Sequence, residues 1–169
     1  MNIKMLSLLF CFGICSFKVQ AKEADEDGPI QILANTVHVQ QTTQSGELIG
    51  NVEIQQGNFQ LQADQVLLQG LKSSLILHAI GAPVRLKQTA PTNPTSKAQK
   101  LQPMQGQANE VIYNNKTGDI DLKGSAYLKI KKNEINSGSI HYNTLSQHYQ
   151  LTPGSSSKRN SILIYPQAL

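Results

Sequence analysis

Beyond position 21 the chain has no cysteine, and nowhere in its 169 residues does it have tryptophan. The first absence removes disulfides, zinc–thiolate sites and cysteine nucleophiles from the body of the protein. The second, with aromatics at only 5%, leaves little from which to build a sugar-stacking groove. No G-x-S-x-G elbow, phosphate-binding loop or dinucleotide fingerprint is present. The four histidines (His38, His78, His141 and His148) are scattered without metal-ligand spacing. His38 lies between Val37 and Val39, on the polar parity of its strand. Carboxylates are equally dispersed. Asp119 and Asp121 flank Ile120 and could mimic a glycosidase pair, but like charges two apart on a solvated strand face are the plainer reading. Asn115-Lys116-Thr117 is a formal glycosylation sequon that reads equally as the turn NNKTG. No catalytic residue, metal site or cofactor is expected.

Long apolar runs are also scarce. The single candidate, Met5 to Phe17, follows the basic start Met1 to Lys4 and precedes Val19-Gln20-Ala21. That order predicts a secretory signal peptide over 1–21, cut after Ala21, because about 13 apolar residues are too few to span a bilayer as a helix. Cys11 and Cys15 fall inside it, and Ile14 stands where a lipoprotein signal needs a small residue. Lys4 and Lys18 leave with the signal, so thirteen cations face eleven anions, a formal +2. This is no nucleic-acid footprint. A bacterial periplasm or an extracellular space is the expected setting.

What the chain does have is alternation. In GELIGNVEIQQGNFQLQADQVLL (46–68) Leu48, Val52 and Ile54 share one parity, and Phe59, Leu61 and Ala63 share another after a short turn. Their neighbours are Glu, Asn, Gln and Asp, with only Ile49 out of place. Similar short runs continue to Pro166, separated by Gly, Asn, Asp, Pro and Ser, and no helical period emerges. With the longer runs broken at Gly50 and Gly124, about fourteen to sixteen strands are expected. Residues 22–28 (KEADEDG) read as a flexible polar tail and 29–169 as one all-β domain. The proline-bearing stretch at about 88–105 reads as an exposed loop within that domain.

The two halves repeat at an offset of 74 residues. Ala34-Asn35 matches Ala108-Asn109, Val37 matches Val111, Thr43 matches Thr117 and Gly50 matches Gly124. Leu48, Ile54, Leu61, Val66 and Leu77 match Leu122, Leu128, Ile135, Ile140 and Leu151 without a gap. A weaker offset of 29 pairs Val37 with Val66 and Leu48 with Leu77. Such self-similarity indicates stacked strand–turn units that bury their apolar faces on one another. The interior mixes Leu, Val and Ile with Gly50, Gly124, Ala63, Ala79, Ala126 and Ser137. It therefore reads either as a packed core or as a trough partly unfilled by small residues, able to hold acyl chains. An open stack also leaves two edges for strand addition, PIQILA near the start and SILIYP near the end.

Four stretches, DGPIQILANTVHV, GELIGNVEIQQGNFQLQADQVLL, AIGAPVRLKQ and GQANEVIYNNKTGDIDLKGSAYLKI, resemble the OstA-like family, from about Pro29 to Leu169. The most specific run is G-N-V-x-I-x-Q-G followed by A-D-x-V at Gly50 to Val66. Its counterpart after Gly124 is degraded, with Ser137-Gly138 in place of Ala-Asp. The resemblance implies an OstA-like β-jellyroll of two facing antiparallel sheets, open along one side. It further implies a non-enzymatic component that carries lipopolysaccharide from inner to outer membrane, acyl chains inside and sugars outside. The implied partners are copies of itself head to tail, an inner-membrane anchored LptC-like protein and an outer-membrane barrel protein of LptD-like type. Ile30 and Ile32 match edge positions that contact lipid, Leu86 stands where an aromatic is common, and Tyr113 matches a groove-facing tyrosine. Parity adds Val37, Val39, Leu48, Val52, Ile54, Phe59, Leu61, Leu122, Leu128 and Ile135 as lipid-facing candidates. Rival readings are a stand-alone periplasmic lipid carrier, a secreted β-solenoid enzyme acting on polysaccharide, and a sister component with an uncleaved membrane span.

Overall fold

Alternating side chains force the backbone to be extended, since only a period of two places Leu48, Val52 and Ile54 on one face. The computed structural model describes residues 29–70, 74–90, 102–154 and 159–166. The expected signal peptide and polar tail lie outside the described residues. The strands are β1 (Gln31–Leu33), β2 (Thr36–Gln40), β3 (Ser45–Gln56), β4 (Phe59–Gln69), β5 (Ile76–Gln88), β6 (Met104–Asn114), β7 (Asp119–Ile130), β8 (Asn133–Asn143), β9 (His148–Thr152) and β10 (Ser161–Leu163). Because β5 runs through Gln88 and β6 begins at Met104, the connection between them is shorter at both ends than the 88–105 loop read from sequence. Met104 and Gln105, the end of that expected loop, open a strand.

Every strand pairs antiparallel with its neighbour in sequence, from β3 across to β8. At the two ends β1 and β2 share β3, while β10 and β9 share β8. Each of the five ladders from β3 to β8 breaks register once, between Ile49 and Val52 on β3, Gln62 and Gln65 on β4, and Ile80 and Val84 on β5. On β6 and β7 the breaks fall between Gln107 and Glu110, and between Lys123 and Ala126. These bulges line up across the sheet and bend it along one line. One ladder thus becomes two layers, the facing sheets of the expected jellyroll. The first layer holds β1, β10 and the segments 52–62, 84–88, 104–107 and 126–137; the second holds β2, β9 and 45–49, 65–69, 76–80, 110–114, 119–123 and 139–143. Counted as half-strands, six bent elements and four short ones agree with the fourteen to sixteen read from the sequence.

The layers pack face to face through a single apolar core. Leu48, Val66, Leu77, Val111 and Leu122 from the second layer meet Val52, Leu61, Val84, Leu86 and Leu128 from the first. Gly106 leaves no room for a side chain: an added Cβ would stand 2.9 Å from Leu86 Cγ on the neighbouring strand and 3.1 Å from Leu122 Cδ2 on the opposite layer. Further out, Phe59 of the first layer stacks on Tyr113 of the second with ring centroids 5.1 Å apart.

The 74-residue repeat is written into the backbone as well as the side chains. Gly50 and Gly124 share φ +77°, and their followers Asn51 and Ser125 lie at +48° and +50°. Gln44 and Gly118 (51° and 72°) and Gly57 and Lys131 (53° each) complete four pairs in the left-handed region. Hydrogen bonds repeat too: Gly70 N–H donates to Gln44 O, and Thr144 N–H to Gly118 O, both at 2.9 Å. Asn35 covers Gly50 and Asn109 covers Gly124, so the Ala-Asn pairs of the repeat guard the bulge glycines. One alignment needs correction. Leu68 pairs with Leu77, but Tyr142, its repeat mate, pairs with Tyr149, not Leu151. The β8–β9 turn is two residues shorter than the β4–β5 turn, so the gapless match of Leu77 to Leu151 slips to Ala79 with Leu151.

Candidate functional site

The interior candidates divide into three groups. Leu48, Val52, Ile54, Leu61, Leu86, Leu122, Leu128 and Ile135 are buried in the core. Ile32, Phe59 and Tyr113 sit half-buried at its margin. Ile30, Val37 and Val39 are exposed. The middle of the trough is therefore filled by the protein's own side chains, and its apolar lining is open at the two ends of the stack.

At the N-terminal end Val37 and Val39 lie opposite Leu48 and Gly46, on the inward face. They are 51% and 55% exposed because, among the described residues, no strand lies beyond β2 to cover them. A hollow of about 590 Å³ runs along this end past Val37, Val39, Gly46 and Leu68, and takes in His38 and Glu47 on the outer side. At the C-terminal end Ile162 lies opposite Ile135 and Tyr149 opposite Tyr142. A second hollow of about 250 Å³ is lined by Ile130, Ile135, Tyr142, Tyr149, Ile162 and Ile164. Ile162 and Ile164 are 42% and 50% exposed on the same parity. Burial beside this opening pushes the Tyr142 phenol above its ordinary value. The sequence reading named SILIYP as an edge but did not place Ile162 and Ile164 in the trough. The parity of the two isoleucines was the available signal, and the shortness of β10 hid it.

The outer faces carry ordinary sheet electrostatics. His141 Nδ1 lies 2.7 Å from Asp121 Oδ1 and its Nε2 3.7 Å from Asp119 Oδ1. The two aspartates therefore flank one imidazole on a solvated face and do not oppose each other across a cleft. The Asn143 amide, 2.6 Å from Asp119 Oδ1, together with the Thr117 hydrogen bond holds that carboxyl below its usual value. His78 meets Glu110 at 3.0 Å, and Lys123 meets the same oxygen at 3.3 Å. Among the described residues no group of three or more His, Cys, Asp or Glu side chains is placed to hold a metal.

The chain is thus a bent antiparallel ladder with a filled apolar middle and apolar surface exposed at both ends. The family comparison makes this specific. Residues 31–148 match the family described as LptA/(LptD N-terminal domain) LPS transport protein, and the chain belongs to that family. The family is one of lipopolysaccharide transport and not of catalysis, as the G-N-V-x-I-x-Q-G resemblance implied. The crystal structure of LptH from Pseudomonas aeruginosa shares the fold, with a TM-score of 0.70 and 18% identity over 85% of this chain and 99% of that one. LptH is described as the LptA homologous periplasmic component of the conserved lipopolysaccharide transport device. Sequence comparison with curated proteins gives no significant match.

Proposed function

We propose that the chain is a periplasmic bridge component that takes lipopolysaccharide acyl chains along its inward face and stacks end to end with copies of itself. In the same way it docks an LptC-like inner-membrane partner and the LptD-like outer-membrane protein. The observation that carries this reading is the pair of open ends, where inward-facing Val37, Val39, Ile162 and Ile164 lack a covering strand among the described residues. Each acyl CH₂ moved from water onto such a surface gains roughly 0.8 kcal/mol, so passage needs no chemistry from this chain. Acyl chains reach the middle only by displacing the packing around Gly106 and the Phe59–Tyr113 stack; at the ends nothing has to move.

The internal repeat supports a register for the joint. Within the chain Leu86 pairs with Gly106 and Leu77 with Tyr113. Ile162 stands to Ile135 as Leu86 stands to Leu61, and Ile32 to Ile54 as Gly106 to Leu128. Continuing the ladder into a second copy sets Ile162 opposite its Ile32, and Ile164 opposite its Ile30. On the second layer the same rule sets Tyr149 opposite Val39.

Cysteines introduced at Ile32 and Ile162 of the otherwise cysteine-free mature chain test the joint. Directly opposed residues on paired strands fall within disulfide reach, so oxidation is expected to give a ladder of covalent oligomers. The pair Gln31→Cys and Ile162→Cys, one residue out of register, serves as the control. Photo-reactive residues at Val39 or Ile162 are expected to capture lipopolysaccharide, whereas one at His38 is not. Equal capture at Val39 and His38 would overturn the inward-face assignment.

A further inference from the structure

The outer faces of the two layers differ in charge. The second layer turns Glu47, Glu110, Asp119 and Asp121 outward against one strand lysine, Lys123, which is paired with Glu110. The first layer turns Arg85, Lys87 and Lys129 outward against Glu53 and Glu134, with Lys131 and Lys132 in the adjoining turn. Its two carboxylates are already engaged: Glu53 accepts from Gln62 at 3.2 Å and Glu134 from Lys129 at 2.7 Å. Among the described residues, Arg85 and Lys87 have no carboxylate partner.

These two free cations stand on the central strand of a regular polar grid. One rung runs Gln60, Lys87, Gln105, Lys129, and the next runs Gln62, Arg85, Gln107, Tyr127. Neighbouring strands lie about 4.8 Å apart, so the grid presents amides at close, even intervals on both sides of the cations. Each amide both donates and accepts, and a guanidinium binds a phosphate or carboxylate through two parallel hydrogen bonds. The grid lines a hollow of about 310 Å³. A second hollow of about 170 Å³ shares Lys87 and Gln105 with it and continues over the rim past Lys129 and Lys131 to Met104. Met104 itself is buried in the apolar core. Two adjoining hollows therefore lead from the rim beside Met104 to the outer face of the first layer; among the described residues the strands of the second layer carry no Lys or Arg besides the paired Lys123, with Lys116 in the turn after β6.

We infer that this grid, centred on Arg85 and Lys87, binds the phosphorylated, acidic sugar portion of the cargo while its acyl chains occupy the inward face. The inference rests on the proposed lipopolysaccharide cargo and names the side of the protein along which the hydrophilic part travels. Its test uses the water-soluble oligosaccharide obtained by complete deacylation of lipopolysaccharide with its phosphates retained, titrated into the ¹⁵N-labelled mature protein. Amide shifts are expected on the first-layer segments of β4, β5 and β6. The dephosphorylated oligosaccharide and inorganic phosphate alone are each expected to give weaker, incomplete changes. Arg85→Gln with Lys87→Gln is expected to weaken binding about three- to tenfold, from two exposed ion pairs, and more at low salt than at high salt. Both positions are exposed, so the variant keeps the core, and its uptake of a fluorescent acyl probe is expected to match the parent.

Shifts confined to the second layer, or no shifts at all, would overturn the inference. So would full reproduction of the shifts by inorganic phosphate, which would make the grid an ordinary anion patch. Failure of the parent protein to take up the acyl probe would instead overturn the carrier function, and the deacylated titration still decides the sugar face.

Discussion

Replacing Gly50 by alanine tests the bend on which the two layers depend. Gly50 has φ +77°, and a Cβ there would stand 2.6 Å from Asn35 Nδ2 and 3.1 Å from its Cγ. A left-handed conformation costs an L-residue roughly 1–2 kcal/mol, and forcing Asn35 off its rotamer adds about 0.5–1.5 kcal/mol. Reduced freedom of the unfolded chain returns about 0.4–1 kcal/mol. The net loss is therefore about 1–2.5 kcal/mol, a fall in Tm of roughly 3–10 °C for a domain of this size. Thermal and urea unfolding of the mature protein measure it, with Asn35→Ala completing a double-mutant cycle. Removing Asn35 should recover the collision part of the loss, about 0.5–1.5 kcal/mol, and leave the backbone part. Gly124→Ala beside Asn109 should behave alike, since its Cβ would stand 2.9 Å from Asn109 Nδ2. A loss that is near zero, or indifferent to Asn35, would refute the account of the bulge as a glycine held under an asparagine lid.

Two further outcomes follow from the same backbone and its outer face. Gln44 occupies at φ 51° the position its repeat mate Gly118 fills at 72°, so Gln44→Gly should stabilise by about 0.5–1 kcal/mol as relief of the left-handed strain exceeds the added chain entropy; an unchanged or lower midpoint in urea unfolding counts against this. Asp119, whose carboxyl is held down by Asn143 and Thr117 from an ordinary 3.8, contributes stability that is present above that ordinary value and is lost as pH falls through the lower folded one. Asp119→Asn should therefore flatten the stability–pH curve on the acid side of about pH 4, and an unaltered slope in acid titrations would show that the hydrogen bonds do not act on folding.

How far the sequence reached can be judged at particular positions. Leu48, Val52, Leu122 and Leu128 were legible as inward because alternation alone fixes the face of a strand residue. Gly50 and Gly124 were legible as breaks because the offset placed two glycines in the same context. The strand at Met104 to Gln107 was not legible: its inward residues are Met104 and Gly106, and glycine carries no apolar signal even where it packs against the opposite layer. Whether the trough was open or packed was also out of reach, because that depends on how closely the bend brings the layers together and alternation says nothing about the angle. The charge asymmetry of the two outer faces needed the ladder, since Gln60, Lys87, Gln105 and Lys129 come from four separate strands. The two-residue slip at Tyr149 shows a further limit: a turn shortened by two residues, the period of strand alternation, leaves the apolar parity unchanged and so escapes a gapless alignment.

The broken end strands carry a mechanical consequence. Tension along the stacking axis runs parallel to the hydrogen bonds, so every ladder in the series bears the same load. Inside the chain that load falls on strands of eleven to thirteen residues. At each end it falls on one piece of three residues and one of five. In the column proposed above, such tension is relieved at the seams or at the short end strands beside them before the long central ladders open.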